Sequence, residues 1–321
     1  MSLRVLVSAA SAALVASVLL ATSATAEQTA IPAGNLVQNP GGEIGQGATD
    51  NITVVPSRGW ETEVSPEVTA ANAPPSGFTQ ARYGGHDYFP TPAVSAAIGG
   101  GRNFIYAGPY RGQHVAHRSV ATQTIEVASA APEIDASGVR ACLSGYLGGS
   151  RNWTQYAIWA ELEFLSEDGS RLGAFRVGPV TAAHRKNMTT LLRRSANRPV
   201  PRGTRQLRVV LTGTSTTGGS TYGYVDNLAV GLTTGACDPV LTLRCAGGAL
   251  VATVTPSSVM RTQRVRFMVK GGKGTKQAQD ARAPYTARFT MAGLTGRLTV
   301  TATITAAGSG PLVVTKRSRR C

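Results

Sequence analysis

The chain has 321 residues, 37 of them glycine, and its 32 lysines and arginines outnumber 17 aspartates and glutamates, giving a net charge of +15. Threonine, valine and alanine recur and long helical patterns are missing, which favours strands joined by many turns. After the first 26 residues no stretch approaches the ~20 apolar residues of a membrane-spanning helix, so the sequence predicts no transmembrane segment in the mature chain.

The N-terminus has the pattern of a secretory signal peptide. Arg4 is followed by an uncharged apolar run over residues 5–21, then by Ala24-Thr25-Ala26 and the polar pair Glu27-Gln28. A signal peptidase recognises small residues at the positions that Ala24 and Ala26 occupy here. We predict a signal peptide at 1–26, a linker at 27–34, and a mature protein that is secreted and associates with the cell wall. An uncleaved membrane anchor is the alternative.

The first large segment contains clear strand patterns. Between Tyr156 and Leu165 apolar residues alternate with Trp159 and two glutamates, and a turn at 166–170 leads into a second strand at 171–177. A further strand at 206–212 shows the same alternation. One apolar and one polar face per strand is typical of antiparallel sheets packed as a sandwich, so we predict an all-β fold.

A turn-forming segment at 231–239, GLTTGACDP, interrupts this pattern and predicts a linker at 233–239. Beyond it, residues 264–269 and 298–305 alternate again, which predicts a second, smaller sandwich at 240–321. From 236 to 321 there are 14 Lys and Arg against 2 Asp, hence +12, whereas residues 27–235 have 17 against 15, hence +2.

The charge excess therefore belongs to the C-terminal domain. Such a domain is suited to anionic surfaces: wall polymers, acidic polysaccharide, lipid headgroups or extracellular DNA. Few aromatic residues are interleaved with the charge, so we do not predict nucleic acid as the partner. A soluble basic surface with no dedicated partner is the alternative.

Four cysteines, Cys142, Cys237, Cys245 and Cys321, lie in the mature part, and an even count in a secreted chain predicts two disulfides. Of the three pairings we favour Cys245–Cys321, which flanks the C-terminal domain and leaves Cys142–Cys237 for the larger one. A zinc site is the alternative, but no two cysteines lie two to four residues apart.

Three motifs resemble galactose-binding-like jelly rolls, the fold of many secreted carbohydrate-binding modules. They are NLVQNPGGE at 35–43, Gly59-Trp60, and YGYVDNLAV at 222–230. The resemblance extends over residues 35–232 and implies an antiparallel jelly-roll β-sandwich. The segments RVRFMVKGG at 264–272 and APYTARF at 283–289 are similar to bacterial immunoglobulin-like modules, which implies an immunoglobulin-like β-sandwich at 240–321.

The jelly-roll resemblance also implies a structural calcium ion that ties the first strand to the last. The matching positions are Glu43 and Asp226, with Glu61 or Glu63 as a third carboxylate. Two carboxylates and backbone carbonyls suit a hard cation. The alternative has no ion, with Glu43 capping a turn and Asp226 accepting backbone hydrogen bonds.

Sugar recognition needs flat aromatic faces and polar groups that reach hydroxyls. Trp153 follows a Gly-Gly-Ser-Arg-Asn loop, and Tyr106 and Tyr110 flank Gly108-Pro109, so we predict that these three are exposed. Any single aromatic residue is more often a core residue, which is the alternative. The predicted ligand-binding residues are Trp153, Trp159, Tyr106, Tyr110, Glu161 and Glu163.

The sequence contains no recognisable catalytic motif. Glu161 and Glu163 stand ~7 Å apart on one strand face, but one face cannot place two acids on opposite sides of a sugar ring. We therefore predict a non-catalytic protein, not an enzyme, that binds extracellular polysaccharide or cell-wall polymer. A structural or adhesive surface protein without a sugar site and an unrecognised glycan hydrolase are the alternatives.

Overall fold

The fold is nearly all β in a computed structural model that describes residues 31–64, 77–109, 117–217, 219–257, 259–306, 309–319 and 321. The predicted signal peptide and Tyr110 lie outside these described residues. The strands are β1 Glu61–Val64, β2 Thr79–Arg82, β3 Asn103–Tyr106, β4 His117–Glu126, β5 Arg140–Gly149, β6 Tyr156–Leu165, β7 Arg171–Val177, β8 Thr190–Pro199, β9 Gln206–Ser215, β10 Gly223–Thr233, β11 Val240–Ala246, β12 Ala249–Thr255, β13 Thr262–Gly271, β14 Gly274–Asp280, β15 Tyr285–Thr290, β16 Leu298–Ala306 and β17 Ser309–Ser318. The helices are α1 Pro92–Ile98, a 3₁₀ turn Ala128–Ala130 and α2 Ala131–Asp135.

Strands β1 to β10 form the first sandwich from two antiparallel five-stranded sheets. Sheet I has the order β1-β4-β9-β6-β7, and sheet II has the order β2-β3-β10-β5-β8. Except for the consecutive pairs β6–β7 and β2–β3, neighbouring strands are not consecutive in sequence, as in the pairs β9–β6 and β10–β5. The predicted all-β class with antiparallel β-sandwich architecture is confirmed.

The main core lies between sheets I and II. Along β6, Ile158, Ala160, Leu162 and Phe164 point inwards and are buried, while Trp159 and its polar neighbours point outwards. This is the predicted alternation, which arises because successive side chains of a strand lie on opposite faces. Each large aliphatic side chain buried in this way contributes about 1.5–3 kcal/mol to folding.

A third layer covers the outer face of sheet II. It consists of residues 83–102, which include α1, and it packs on aromatic side chains of β3 and β10. Phe104, Tyr106 and Tyr224 are 0% exposed beneath this layer. The outer face of sheet II is therefore not a polar surface. It forms a second hydrophobic core, and only the edge of this core reaches solvent.

The opening motif at 35–43 is held by its two asparagines. Asn35 donates from Nδ2 to Leu228 O at 2.9 Å and accepts from Val230 N–H at 3.0 Å, so it bridges two residues of β10. Asn39, at a φ of 47°, donates to Ser57 Oγ at 2.9 Å. Asn35 therefore connects the start of the sandwich to its last strand, and Asn39 connects it to the segment before β1.

The second sandwich packs the three-stranded sheet III, β11-β12-β15, on the four-stranded sheet IV, β14-β13-β16-β17. Its core is separate from the first and is built from inward side chains of both sheets. Phe267, Val300 and Leu250 are 0% exposed. The outward positions along 264–270 of β13 and along β16 carry charged and hydroxyl side chains, together with Met268.

Two disulfides are present, as predicted. Cys142 on β5 is bonded to Cys237, between β10 and β11, and Cys245 on β11 is bonded to Cys321. The segment between the sandwiches is also fixed by Asp238, which accepts from Arg193 Nη2 on β8 at 2.8 Å. Among the described residues, none of the helices has the length and hydropathy needed to span a bilayer.

Candidate functional site

The aromatic residues of the first sandwich are concentrated on the outer face of sheet II. Its buried part contains tilted and edge-to-face ring pairs, with centroids 4.9–6.3 Å apart, among Tyr83, Phe89, Phe104, Tyr106 and Tyr224. Such tilted arrangements are favourable for aromatic rings. Burial raises the pKa of Tyr106 and Tyr224 well above the ordinary tyrosine value.

Tyr106 is therefore not an exposed ligand-binding residue. Its side chain is 0% exposed, beneath the layer formed by residues 83–102. The prediction that it is exposed relied on the neighbouring Gly108-Pro109, but Tyr106 itself ends strand β3 and pairs with Thr79 and Tyr224. The covering layer comes directly before β3 in the chain, but the Gly-Pro pattern that follows Tyr106 gave no indication of it.

Four aromatic side chains at the solvent-facing margin of this layer form what we call the rim cluster: Tyr88, Trp153, Tyr156 and Tyr222. The Trp153 ring lies at the centre, with centroids 4.8 Å from Tyr88, 4.8 Å from Tyr222 and 5.7 Å from Tyr156. Trp153, Tyr88 and Tyr156 are partly exposed, whereas Tyr222 is 7% exposed. Trp153 thus packs against the other three rings and is still partly exposed to solvent.

Hydrogen-bonding groups surround the rim cluster. Asn51 donates from Nδ2 to Tyr222 Oη at 2.6 Å, and the Arg151 guanidinium lies over the Tyr88 ring, 5.0 Å from its centroid. Arg151 is exposed and forms no salt bridge within the described part of the chain. A partly exposed aromatic surface beside amide and guanidinium donors is an arrangement that can bind a polyhydroxylated ring.

The loop that carries Trp153 is held by a buried arginine. Arg185 is 4% exposed, and its Nη1 donates to Gly149 O at 2.7 Å, to Arg151 O at 3.0 Å and to Met188 O. Burial lowers the pKa of Arg185, but a guanidinium remains charged in proteins. One side chain therefore holds two carbonyls of the loop at 149–153 and ties them to Met188.

The predicted residues on the outer face of sheet I form a different surface. Arg171 pairs with Glu161 at 2.6 Å and with Glu163 at 3.2 Å, and Arg208 pairs with Glu163 at 2.6 Å. Trp159 is partly exposed, with the Arg176 guanidinium 5.7 Å from its ring centroid. The two glutamates are thus neutralised by arginines, and the structure does not bring this group to the rim cluster.

Glu43 and Asp226 both lie against the turn at Gly100 and Gly101. A Cβ on Gly100 would stand 2.2 Å from Asp226 Oδ2, and one on Gly101 would stand 2.6 Å from the Glu43 carboxyl carbon. Glu43 accepts from the backbone N–H of Asn103 at 2.7 Å and of Arg102 at 3.2 Å. The two carboxylates therefore approach the same backbone segment from two sides.

Asp226 is a buried carboxyl without a cationic partner in the described part of the chain. It is 0% exposed and accepts from Tyr83 Oη at 2.6 Å and from the Asn227 N–H at 2.6 Å. Burial raises its pKa well above the ordinary aspartate value, and the charge of Glu43 raises it further. A buried carboxylate of this kind is costly unless a cation compensates it.

The two carboxylates fit a hard cation such as Ca²⁺, because carboxylate oxygens are among its preferred ligands. Within the described residues no group of three or more His, Cys, Asp or Glu side chains surrounds a common point. Glu61 and Glu63 lie on β1 in sheet I and do not supply a third carboxylate. Backbone carbonyls and water would have to complete the coordination.

Several residues of the site were not predicted from the sequence. Tyr156 begins a strand and Tyr222 precedes one, so both are expected to be core residues. Asn51 and Arg185 lie in segments without a recognisable motif. The Tyr-Gly-Tyr sequence at 222–224 is the one local signal for Tyr222. Its two tyrosines share a face of sheet II.

No family model matches the chain, and no curated protein matches it in sequence. Similar solved structures include the enzymatically active domain of tailspike protein 4 of bacteriophage CBA120, at 16% identity and a TM-score of 0.35, covering 62% of this chain and 21% of that one. Another is the glycoside hydrolase domain of Endo-D from Streptococcus pneumoniae R6, at 8% identity and a TM-score of 0.32, with 81% and 37% covered.

A third similar structure contains the CBM22-1 and GH10 modules of the Clostridium thermocellum endo-1,4-β-D-xylanase 10B, complexed with xylohexaose. It has 12% identity and a TM-score of 0.29, with 57% of this chain and 27% of that chain covered. The chain thus spans between about a fifth and two fifths of the length of these three chains. At such identities the likeness concerns the fold.

These matches contradict the prediction that the protein is not an enzyme, because the similar structures are those of enzymes, including a glycoside hydrolase and a xylanase. The prediction rested on the lack of a contiguous catalytic motif. In a β-sandwich, side chains from distant strands meet on one face, so catalytic groups need not form a local pattern. We do not retain non-catalytic status.

Proposed function

We propose that the protein recognises extracellular carbohydrate through the rim cluster of its first sandwich, which we interpret as a galactose-binding-like jelly roll. The observation that carries this proposal is the partly exposed Trp153 ring, 4.8 Å from both Tyr88 and Tyr222. A pyranose ring presents an apolar face of C–H groups and an equator of hydroxyls. Trp153 with Tyr156 can contact the former, while Asn51 and Arg151 can reach the latter.

Rigidity of the site supports this proposal. The rings of the rim cluster support one another and continue into the buried aromatic layer, and Arg185 fixes the loop behind them. A pre-ordered surface loses little conformational entropy when a ligand binds. The Trp159 face lacks this support, since its polar neighbours are engaged in ion pairs.

The first test is a Trp153→Ala variant of the mature protein. We expect its affinity for the bound polysaccharide to fall at least about tenfold, because the central stacking surface is removed. Binding is measured on insoluble neutral polysaccharides and bacterial cell-wall preparations in about 1 M NaCl, where the Debye length is ~3 Å and charge-driven adsorption is suppressed.

The matched control is Trp159→Ala, which removes the other partly exposed tryptophan of the same sandwich. Retention of binding in this variant and its loss in Trp153→Ala would locate the site at the rim cluster. Equal binding by both variants and the wild type would contradict the proposal. The first sandwich would then be better interpreted as a structural or adhesive module without a sugar site.

We also propose that Glu43 and Asp226 hold a structural Ca²⁺. The expected result is that Ca²⁺ stabilises the wild type by about 2.7 kcal/mol at a free concentration 100 times the Kd, and that EDTA reverses the effect. Asp226→Asn is expected to lose this response. Its amide keeps the two hydrogen bonds, accepting from Asn227 N–H and donating to Tyr83 Oη. Thermal denaturation with and without Ca²⁺ measures both effects.

The pH dependence in EDTA provides a second readout of Asp226. Because its folded pKa is raised above the ordinary value of 3.8, the neutral carboxyl stabilises the fold below that value. This contribution is lost as the pH rises through the folded pKa. We therefore expect the wild type to lose stability relative to Asp226→Asn as the pH rises, while Glu167→Gln, at an exposed turn, follows the wild type. If Ca²⁺ does not change the thermal stability of the wild type, the proposal of a structural calcium ion is excluded.

For the second sandwich we propose an immunoglobulin-like module that holds the protein on anionic extracellular material. The excess of 14 Lys and Arg over 2 Asp in residues 236–321 supports this role, since summed charge attracts polyanions. The two disulfides support an extracellular location for the whole chain, because such bonds persist in oxidising compartments.

A further inference from the structure

The outer face of sheet IV has an unusual composition. Outward side chains alternate with inward ones along the four strands, and the inward ones are buried on β13 and β16. One register row after another therefore presents polar groups to solvent. The side chains of this face are Arg264, Arg266, Met268 and Lys270 on β13, Thr275, Gln277 and Gln279 on β14, Thr299, Thr301, Thr303 and Thr305 on β16, and Val313, Thr315 and Arg317 on β17. We call this set the cationic threonine face.

The cationic threonine face contains four cations and no acidic residue. Arg264, Arg266, Lys270 and Arg317 are exposed, and none of them forms a salt bridge within the described part of the chain. Asp280, at the end of β14, faces away and accepts from the backbone N–H groups of Arg282 and Thr286. The positive charge of this face is therefore not neutralised by the protein.

The cations are regularly spaced. Arg264 and Arg266 lie two residues apart on β13, a distance of ~7 Å, and Lys270 lies a further ~13 Å along the same strand. Arg317 is in the same cross-strand row as Lys270, with Thr299 between them, so their strands are ~10 Å apart. An extended polyanion lying along β13 would thus meet several positive groups in sequence.

The groups between the cations discriminate between classes of polyanion. Six threonine hydroxyls and two glutamine amides can exchange hydrogen bonds with a hydroxylated chain. The face carries no aromatic side chain on which a nucleic-acid base could stack. Its two apolar members, Met268 and Val313, are separated by other side chains and offer no continuous surface for lipid insertion.

We propose that the cationic threonine face binds an acidic polysaccharide, a polymer of sugar units that carries carboxylate, sulfate or phosphate groups along its length. The proposal rests on the anionic association proposed above for the second sandwich, and it gives that association a location and a ligand class. The cations contact the anionic groups, and the threonine and glutamine side chains contact the hydroxyls between them. The contact is electrostatic in the main and is weakened by salt.

The test uses the full mature protein and polygalacturonate, with its methyl-esterified form as the uncharged polymer. A triple variant, Arg264→Gln with Arg266→Gln and Lys270→Gln, is expected to bind polygalacturonate on the order of tenfold more weakly, since three exposed ion pairs are lost. The control variant is Arg244→Gln with Arg288→Gln and Arg202→Gln, which has the same net charge but removes exposed cations of sheet III and of the first sandwich, outside this face. It is expected to bind within about twofold to threefold of the wild type.

Equal loss in the two triple variants would overturn the proposal, because net charge alone would then explain the binding. Tighter binding of a 30-residue DNA than of polygalacturonate in the same salt would also overturn it, in favour of nucleic acid. Undiminished binding of the methyl-esterified polymer would show that the acid groups are not recognised. Trp153→Ala is expected to bind polygalacturonate as the wild type does. The proposal for the rim cluster and the proposal for this face are therefore tested independently. Circular dichroism and thermal denaturation confirm that each variant is folded.

Discussion

Replacing both Cys142 and Cys237 with alanine is expected to lower the free energy of unfolding of the first sandwich by about 2–5 kcal/mol. The bond joins residues 95 positions apart, so it removes many conformations from the unfolded chain. It also ties the central strand β5 to the segment after β10. Alanine is the suitable replacement because Cys142 is 4% exposed, and a serine hydroxyl would be buried without a partner. Urea denaturation of wild type and variant measures the difference.

The matched control is the double alanine variant of Cys245 and Cys321. It removes the disulfide of the second sandwich, which joins residues 76 positions apart. Since the two sandwiches have separate cores, each variant is expected to shift mainly the unfolding of its own sandwich. The Cys142 and Cys237 variant should therefore still bind polygalacturonate at low temperature. A first sandwich that unfolds at the same urea concentration with and without its disulfide would contradict the prediction.

Sequence patterns predicted the strands well where alternation was strong. The predicted strands at 156–165 and 171–177 have the same bounds as β6 and β7, and the strand predicted at 206–212 is the first part of β9. These strands each have one face on the main core, so the pattern of buried residues is recorded directly in the sequence. The long β16, with alternating Leu, Val, Ala, Ile and Thr, was predictable for the same reason.

The aromatic layer was not predictable, because it depends on contacts between distant segments. Tyr106 and Tyr224 pair across β3 and β10, and the cover that buries them comes from residues 83–102. From the sequence alone, a tyrosine on a strand face can be interpreted as a core residue or as an exposed binding residue. The segment that covers the face decides between the two. Trp153 was identified because a glycine-rich loop precedes it, but its partners Tyr88 and Tyr222 come from other segments.

Arg185 is the clearest residue that the sequence does not reveal. It lies between His184 and Lys186 in a loop, where a basic residue is expected to be exposed. Its carbonyl partners Gly149 and Arg151 are 36 and 34 positions away, and no side-chain pattern marks a backbone acceptor. A buried charge of this kind can be found only from the structure.

Arg185→Met is expected to lower both the stability of the first sandwich and its affinity for carbohydrate. Methionine keeps most of the volume, but the carbonyls of Gly149, Arg151 and Met188 lose their donor. Buried acceptors left without a partner cost about 1–3 kcal/mol each, less where water enters, so we expect a total loss of about 2–4 kcal/mol. The loop at 149–153 then becomes more mobile, and Trp153 is no longer held against Tyr88 and Tyr222.

The control is Lys186→Met, an exposed neighbour that removes the same charge and leaves the loop contacts in place. It is expected to match the wild type in unfolding and in binding at high salt. If Arg185→Met lowers stability but binds polysaccharide like the control, then Trp153 is positioned by its aromatic neighbours alone. If both properties fall together, the buried guanidinium is a positioning residue of the site, and the rigidity of the rim cluster depends on a polar contact beneath the loop rather than on ring packing.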